Sequence, residues 1–371
     1  MATVSVDDVR AARDLLRDVV RPPPLELSRW LAGIVGGPVF LKCENLQRAG
    51  SFKIRGAYVR IARLSDDERA KGVVAASAGN HAQGVALAAS MLDTKTTVFM
   101  PEGAPIVKEK ATRAYGADVR FVGATVDEAL VAAKAFAAET GAVLIHPFDH
   151  PDLVAGQATV GLEILAECPD VRTVVVGTGG GGLLAGIALA IKDSRPDVRV
   201  VGVQAGGSAA YPDSLAAGEP VTLSTMATMA DGIAVACPGD VPFGLVQALC
   251  DGVVTVHEDW LARALVMLLE RAKLVVEPAG AAGVAAVLAN SSAFEPPVVV
   301  VLSGGNVDPL LMLRVIRHGL AASGRYLNFR VRIPDRPGAL AQLLAELAAL
   351  DANVLDVVHE RTKAQLHIHE V

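Results

Sequence analysis

Short apolar runs alternate with longer amphipathic stretches over most of this chain, in the rhythm of strand and helix. Residues 73–76, 97–100, 118–122, 143–145, 173–176, 198–203, 253–256 and 298–302 are runs of strand length, many of them rich in valine. Between them, residues 82–91, 107–115, 127–139, 154–167, 183–192, 260–272 and 281–288 read as helices, two of them closed by Gly116 and Gly141. Strands that are apolar on both faces and separated by helices of this length predict parallel sheets with right-handed crossovers and helices on both faces. Residues 1–18 are charged and helical in pattern.

The rhythm changes near residue 320. Ala321-Ala322-Ser323-Gly324 reads as a short linker. Residues 325–333 then alternate as a half-buried strand, with Leu327, Phe329, Val331 and Ile333 on one face. Asp335-Arg336-Pro337-Gly338 reads as a turn, residues 339–350 as an amphipathic helix, 353–358 as a second strand, and 365–369 alternate again. The prediction is a β-α-β unit too small to bury a core alone.

Composition narrows the class. Of 371 residues, 52% are hydrophobic and only 4% aromatic, as expected for Ala/Val/Leu helices on Val-rich strands in an α/β enzyme. A net charge of −6 without a basic stripe argues against nucleic acid as a partner. No apolar run is long and uninterrupted enough to span a bilayer, and residues 1–18 lack the apolar core of a signal peptide. Cys43, Cys168, Cys237 and Cys250 stand apart without ligand spacing, which predicts reduced thiols in a cytoplasmic protein and no metal site.

The first candidate for chemistry is Lys53, within Gly50-Ser51-Phe52-Lys53-Ile54-Arg55-Gly56-Ala57-Tyr58. An amine in apolar surroundings loses solvation, its pKa falls, and it becomes able to attack a carbonyl and form a Schiff base. A buried structural lysine would look the same in isolation.

Three further segments follow strands, on the side where ligands bind in open parallel sheets. Gly177-Thr178-Gly179-Gly180-Gly181-Gly182 has the spacing of a dinucleotide fingerprint, but the next strand ends at Val203-Gln204 with no carboxylate for a ribose. The run suits a single phosphate group at a helix N-terminus; a tight turn is the plain alternative. Ser77-Ala78-Gly79-Asn80-His81 offers bare amides for a carboxylate and an Asn80 donor for a ligand oxygen, or else a simple N-cap. Ser303-Gly304-Gly305-Asn306 offers an uncharged hydroxyl for a heteroaromatic nitrogen, or else a turn. His81, His146 and His150 lie near strand ends without triad or metal spacing and read as structural or supporting residues.

Together these segments carry a resemblance. Ser51-Phe52-Lys53-Ile54-Arg55-Gly56-Ala57, Ser77 through Gly84, Gly179-Gly180-Gly181-Gly182-Leu183 and Ser303-Gly304-Gly305-Asn306 resemble the motifs of threonine dehydratases (threonine ammonia-lyases). These are pyridoxal-phosphate enzymes of the tryptophan-synthase-β fold. Leu41 through Gln47, Ala230-Asp231-Gly232 and Glu277-Pro278-Ala279-Gly280-Ala281 agree with it. The likeness covers roughly residues 20–320, and residues 325–371 resemble the first half of an ACT regulatory domain.

The resemblance implies a two-lobed α/β fold with parallel sheets flanked by helices. The catalytic domain would span 1–320, with a smaller lobe inserted at about 50–150, and a small α+β ACT-like segment would span 325–371. It implies that Lys53 carries pyridoxal 5'-phosphate and acts as the base at the substrate Cα, and that Phe52 packs beside the cofactor. Asn80 would bond the ring oxygen, Gly179, Gly180, Gly181, Gly182 and Leu183 would hold the phosphate, and Ser303 would face the ring nitrogen. Ser77, Gly79 and His81 would shape the substrate-carboxylate site, with Glu277 and Gly232 lining the pocket. An uncharged serine at the ring nitrogen makes the ring a weaker electron sink, which favours β-elimination over transamination.

Departures from the family pattern are informative. Ala49 and Pro24 replace threonines, and Ala158 replaces a glycine. In serine racemases of this fold a serine at the place of Ala78 is the opposite-face base; alanine cannot take a proton. Those relatives bind a divalent metal where this chain has Gln204 and Ala210, poor ligands for a hard cation, so no such metal is expected. The expected reaction is dehydration and deamination of L-threonine, and of L-serine, to 2-oxobutanoate or pyruvate and ammonia, by a homodimer or homotetramer. A racemase or β-replacement enzyme, and a catalytically silent amino-acid sensor, are the alternatives.

Overall fold

The computed structural model describes residues 4–325 and 327–358. The chain divides into two units, residues 1–323 and 324–371.

The first unit is built on two sheets. The strands are β1 (Leu25–Leu27), β2 (Val39–Lys42), β3 (Val73–Ala76), β4 (Thr96–Met100), β5 (Asp118–Phe121), β6 (Val143–Leu144), β7 (Thr173–Gly177), β8 (Arg199–Ala205), β9 (Val253–Val256) and β10 (Val298–Val301). Six form a sheet in the order β1-β2-β10-β7-β8-β9 and four form a second in the order β5-β4-β3-β6. All neighbours are parallel except β1, which lies antiparallel on β2. The smaller sheet comes entirely from residues between β2 and β7.

The valine runs sit at the centre because they are apolar on both faces. Val174, Val176, Val299 and Val301 pack with Leu184, Ile187 and Ile191 of the helix Gly182–Ser194. Their neighbours Val175, Val298 and Val300 face the other way, onto Ala281 and Val284 of the helix Pro278–Ala289. This is the two-residue alternation of a strand expressed in a doubly covered sheet. In the smaller sheet Val74, Ala76 and Phe99 meet Ala129 and Ala133 of the helix Val126–Thr140, while Val98 and Met100 meet Ala82 and Ala86 of the helix Asn80–Met91.

A buried ion cluster anchors the helix Lys53–Ala62. Arg55, fully buried, donates to both oxygens of Glu44 (3.0 and 2.7 Å), both of Glu163 (2.6 and 2.9 Å) and the Thr159 hydroxyl (3.0 Å). Lys42 joins Glu163 at 2.9 Å and Glu167 at 2.6 Å. All five guanidinium donors are satisfied, the condition under which a buried charge is tolerable.

Two strands were not anticipated. β1 has three residues, mostly exposed, and β2 is a short run that ends on Lys42. The helix expected over 260–272 is α-helical over Glu258–Met267 and then widens into a π-turn over Leu268–Ala272, closed by Lys273 in the left-handed region.

In the second unit the turn and the helix Ala339–Ala349 form, but the described residues of 325–333 and of 353–358 are not strands. This corrects the β-α-β expectation. Alternation makes a strand only where an edge offers hydrogen bonds and a layer covers the apolar face. Here Leu327, Phe329, Val331, Leu355 and Val357 are exposed. The alternation at 365–369 lies outside the described residues.

Candidate active site

The carboxyl end of β10 and the segment before Lys53 are laced together. The Phe52 N–H donates to the Ser303 carbonyl at 3.2 Å, the Gly305 N–H to the Gly50 carbonyl at 2.9 Å, and Ser51 bridges Gly304. The first turn of the helix Lys53–Ala62 is therefore fixed beside the buried Ser303. On its other side it packs against the helix Asn80–Met91, so closely that a Cβ at Gly84 would lie 2.9 Å from Lys53 Cβ.

Lys53 is partly accessible, yet the surrounding protein desolvates its amine. Burial lowers its pKa to about 8, against a smaller opposing pull from Glu277. The amine donates to the Pro147 carbonyl at 2.7 Å and lies 5.1 Å from the Phe52 ring centroid. Pro147 leads directly to the glycine run, because a side chain at Gly180 would collide with the ring of Phe148. A continuous path thus joins Ser303, Phe52, Lys53, Pro147, Phe148 and Gly180.

The glycine run follows β7 and opens the helix Gly182–Ser194. Gly181 caps it at φ +97°, where a Cβ would strike the hydroxyl of the buried Tyr211. The first helical bond is from the Ala185 N–H to the Gly181 carbonyl. The N–H groups of Gly182 and Leu183 precede it and are free of the helix ladder. Bare amides, a helix dipole and no side chains are the chemistry that suits one phosphate group.

Asn80 starts the helix after β3. Its Nδ2 donates to Glu277 Oε1 at 2.5 Å and its Oδ1 accepts from Asn306 Nδ2 at 2.9 Å. Burial pushes Glu277 up to about 7, with Asp231 adding to the rise and Asn80, Lys108 and Lys53 opposing it. The Ser77 hydroxyl accepts from the Gly79 N–H at 3.1 Å, and no atom lies within 4 Å of the position where a Gly79 side chain would begin. The His81 ring is engaged elsewhere, its Nε2 lying 2.8 Å from the Ile145 carbonyl. Burial and then Lys53 lower its pKa to about 3, so the ring is neutral.

Lys53, Phe52, Ser303, Asn80 and the glycine run at Gly180 are thus linked through a chain of direct contacts. Sequence reasoning missed Pro147 and Phe148, Tyr211 beneath Gly181, and the partnership of Glu277 with Asn80. Glu277 had a visible signal: a carboxylate between Val276 and Pro278 in an apolar stretch. Among the described residues no group of three His, Cys, Asp or Glu side chains is arranged to hold a metal. Gln204 is engaged, its Oε1 accepting from the Tyr211 N–H at 2.9 Å.

A lysine of lowered pKa, joined by contacts to a glycine-lined helix N-terminus, fits one class: enzymes that hold a phosphorylated aldehyde covalently. The model of the pyridoxal-phosphate dependent enzyme family matches residues 16–304, and the chain belongs to that family. The L-threonine ammonia-lyase of Thermotoga maritima is 47% identical over 365 residues, covering 98% of this chain and 91% of that protein. The processed form of threonine deaminase isoform 2 from Solanum lycopersicum matches with a TM-score of 0.81 at 38% identity, over 84% of this chain and 92% of that one. Maize serine racemase matches with a TM-score of 0.81 at 35% identity, over 87% of this chain and 100% of that one.

Proposed function

We propose that this enzyme is a lyase that deaminates L-threonine, and L-serine with it, by β-elimination, giving 2-oxobutanoate or pyruvate and ammonia. The observation that carries the reading is the Lys53 amine, desolvated to a pKa of about 8 and joined through Pro147 and Phe148 to the glycine cradle. Pyridoxal phosphate supplies an aldehyde for amines and a ring that accepts electrons released at the substrate Cα.

The chain's own residues do the rest. The amides from Gly179 to Leu183 would hold the phosphate, the Asn80 amide would bond the ring oxygen, and Ser303 would face the ring nitrogen without adding charge. The Lys53 amine would hold the cofactor's aldehyde carbon and, as a base of lowered pKa, would accept the proton from the substrate Cα. The backbone around Ser77, Gly79 and His81 receives the substrate carboxylate. Ala78 has no proton to exchange on the opposite face, which favours elimination over racemisation.

The proposal extends to the assembly and the second unit. Exposed Leu27, Leu46, Leu310 and Leu313 support a homodimer or homotetramer, and four unpaired cysteines support a cytoplasmic setting. Among the described residues no helix is long and apolar enough to cross a membrane. Residues 1–320 would be the catalytic domain and 325–371 a partial ACT-like regulatory segment, tested by adding isoleucine or valine to the assay.

The decisive assay is turnover. Protein loaded with pyridoxal phosphate should release 2-oxobutanoate from L-threonine and form no appreciable D-serine from L-serine. Binding of L-threonine without turnover would refute the reading.

A further inference from the structure

The side-chain amide of Asn80 is gripped at both ends. Nδ2 donates to Glu277 Oε1 at 2.5 Å, and Oδ1 accepts from Asn306 Nδ2 at 2.9 Å. Asn306 Nδ2 also donates to the Ala49 carbonyl at 2.6 Å, which fixes that end of Asn306 as its NH2. An asparagine amide keeps its shape when flipped but exchanges donor for acceptor. A flip of Asn80 would set its oxygen against the Glu277 carboxylate and its NH2 against that of Asn306. Only one orientation satisfies both partners, and in it Asn80 retains one N–H for a ligand.

The surrounding backbone leaves room for this chain of side chains. A Cβ at Gly304 would collide with the Glu277 carboxylate and lie 2.9 Å from Asn80 Nδ2. At Gly50, where φ is +67°, a Cβ would collide with Asn306 Oδ1. Asn80 belongs to the end of the smaller sheet, whereas Glu277 and Asn306 follow elements of the larger one. Glu277 is 3% exposed and makes no bond to the N-terminus of its own helix, so its carboxylate is directed to Asn80. The charged groups acting on it are Asp231, Lys108 and Lys53, with Lys108 itself bonded to Asp231 at 2.9 Å.

We infer that Glu277 and Asn306 are positioning residues that lock the Asn80 amide, so that its remaining N–H is presented to the cofactor's ring oxygen. This rests on the role given to Asn80 above. The lock acts through polarity, which separates it from a packing role.

The test measures the dissociation constant of pyridoxal phosphate from apo protein and the visible band of the bound cofactor in four variants. Asn80→Ala should weaken binding about tenfold, the scale of one lost hydrogen bond, and shift the band. Asn306→Asp keeps the shape but offers an acceptor to the Asn80 oxygen, so it should weaken binding more than Asn306→Ala. Glu277→Gln keeps an acceptor oxygen and, measured above the Lys53 midpoint of about 8 where its amine is neutral in both proteins, should stay within about twofold of wild type, on the scale of a retained bond. Asn306→Asp binding like wild type, or better than Asn306→Ala, overturns the lock while leaving Asn80 as a ligand. Asn80→Ala with unchanged affinity and band overturns the role of Asn80 itself.

Discussion

The Lys53 amine donates to the carbonyl of Pro147 at 2.7 Å, and the next side chain, Phe148, lies against Gly180 of the glycine run. One short segment therefore connects the nucleophile with the anion cradle. A protonated amine suits that carbonyl, but only the neutral amine can attack an aldehyde.

The pH dependence of cofactor capture follows. Burial depresses the Lys53 pKa to about 8 and the Glu277 charge partly restores it. The rate at which apo protein develops the visible band with pyridoxal phosphate should rise with pH and level off above about 8. An ordinary lysine would level off near 10.4. Glu277→Gln removes the charge that favours the ammonium, so the midpoint should move to lower pH. A midpoint near 10, or an upward move in Glu277→Gln, contradicts the desolvated amine.

Gly181 tests the cradle. Its φ of +97° and the Tyr211 hydroxyl leave no place for a side chain. Gly181→Ala should cost about 1–3 kcal/mol of stability through backbone strain alone, and weaken pyridoxal phosphate binding besides. Adding Tyr211→Phe should recover part of the loss, because it removes the oxygen in the way. Thermal unfolding and cofactor titration read both quantities, and an undisturbed Gly181→Ala would show that the run is not a cradle.

Arg55 tests the anchor of the Lys53 helix. Arg55→Met strands the buried Glu44 and the half-buried Glu163, and should cost about 3–5 kcal/mol in denaturant unfolding. Burial raises the Glu163 pKa, but Arg55 and Lys42 together outweigh it and hold it below its ordinary 4.5. A depressed carboxylate contributes stability above its unfolded value and loses it as pH falls through the folded one. Wild type should therefore lose this increment below about pH 4.5, and Arg55→Met, in which only Lys42 still lowers Glu163, should lose less. Equal acid sensitivity in both proteins would contradict the assignment.

The legible parts of the sequence were those whose physics is local or periodic. β3, β7 and β10 stand out because a strand covered on both faces is a plain apolar run. The glycine run and Lys53 stand out because each is chemically out of place in its surroundings. β1 was invisible, since three residues on an exposed edge carry no period. The Glu277–Asn80–Asn306 chain was equally hidden, because its members are 197 and 226 residues apart in sequence. The described residues of 325–333 and 353–358 show the reverse failure, a strand-like period without strand structure.

Reduction of the protein loaded with pyridoxal phosphate by borohydride, followed by peptide mass mapping, tests the central claim most directly. The pyridoxyl group should be found on Lys53, and Lys53→Ala should carry none and release no 2-oxobutanoate from L-threonine. A label on Lys42, Lys108 or any other lysine, or turnover by Lys53→Ala, would contradict the account.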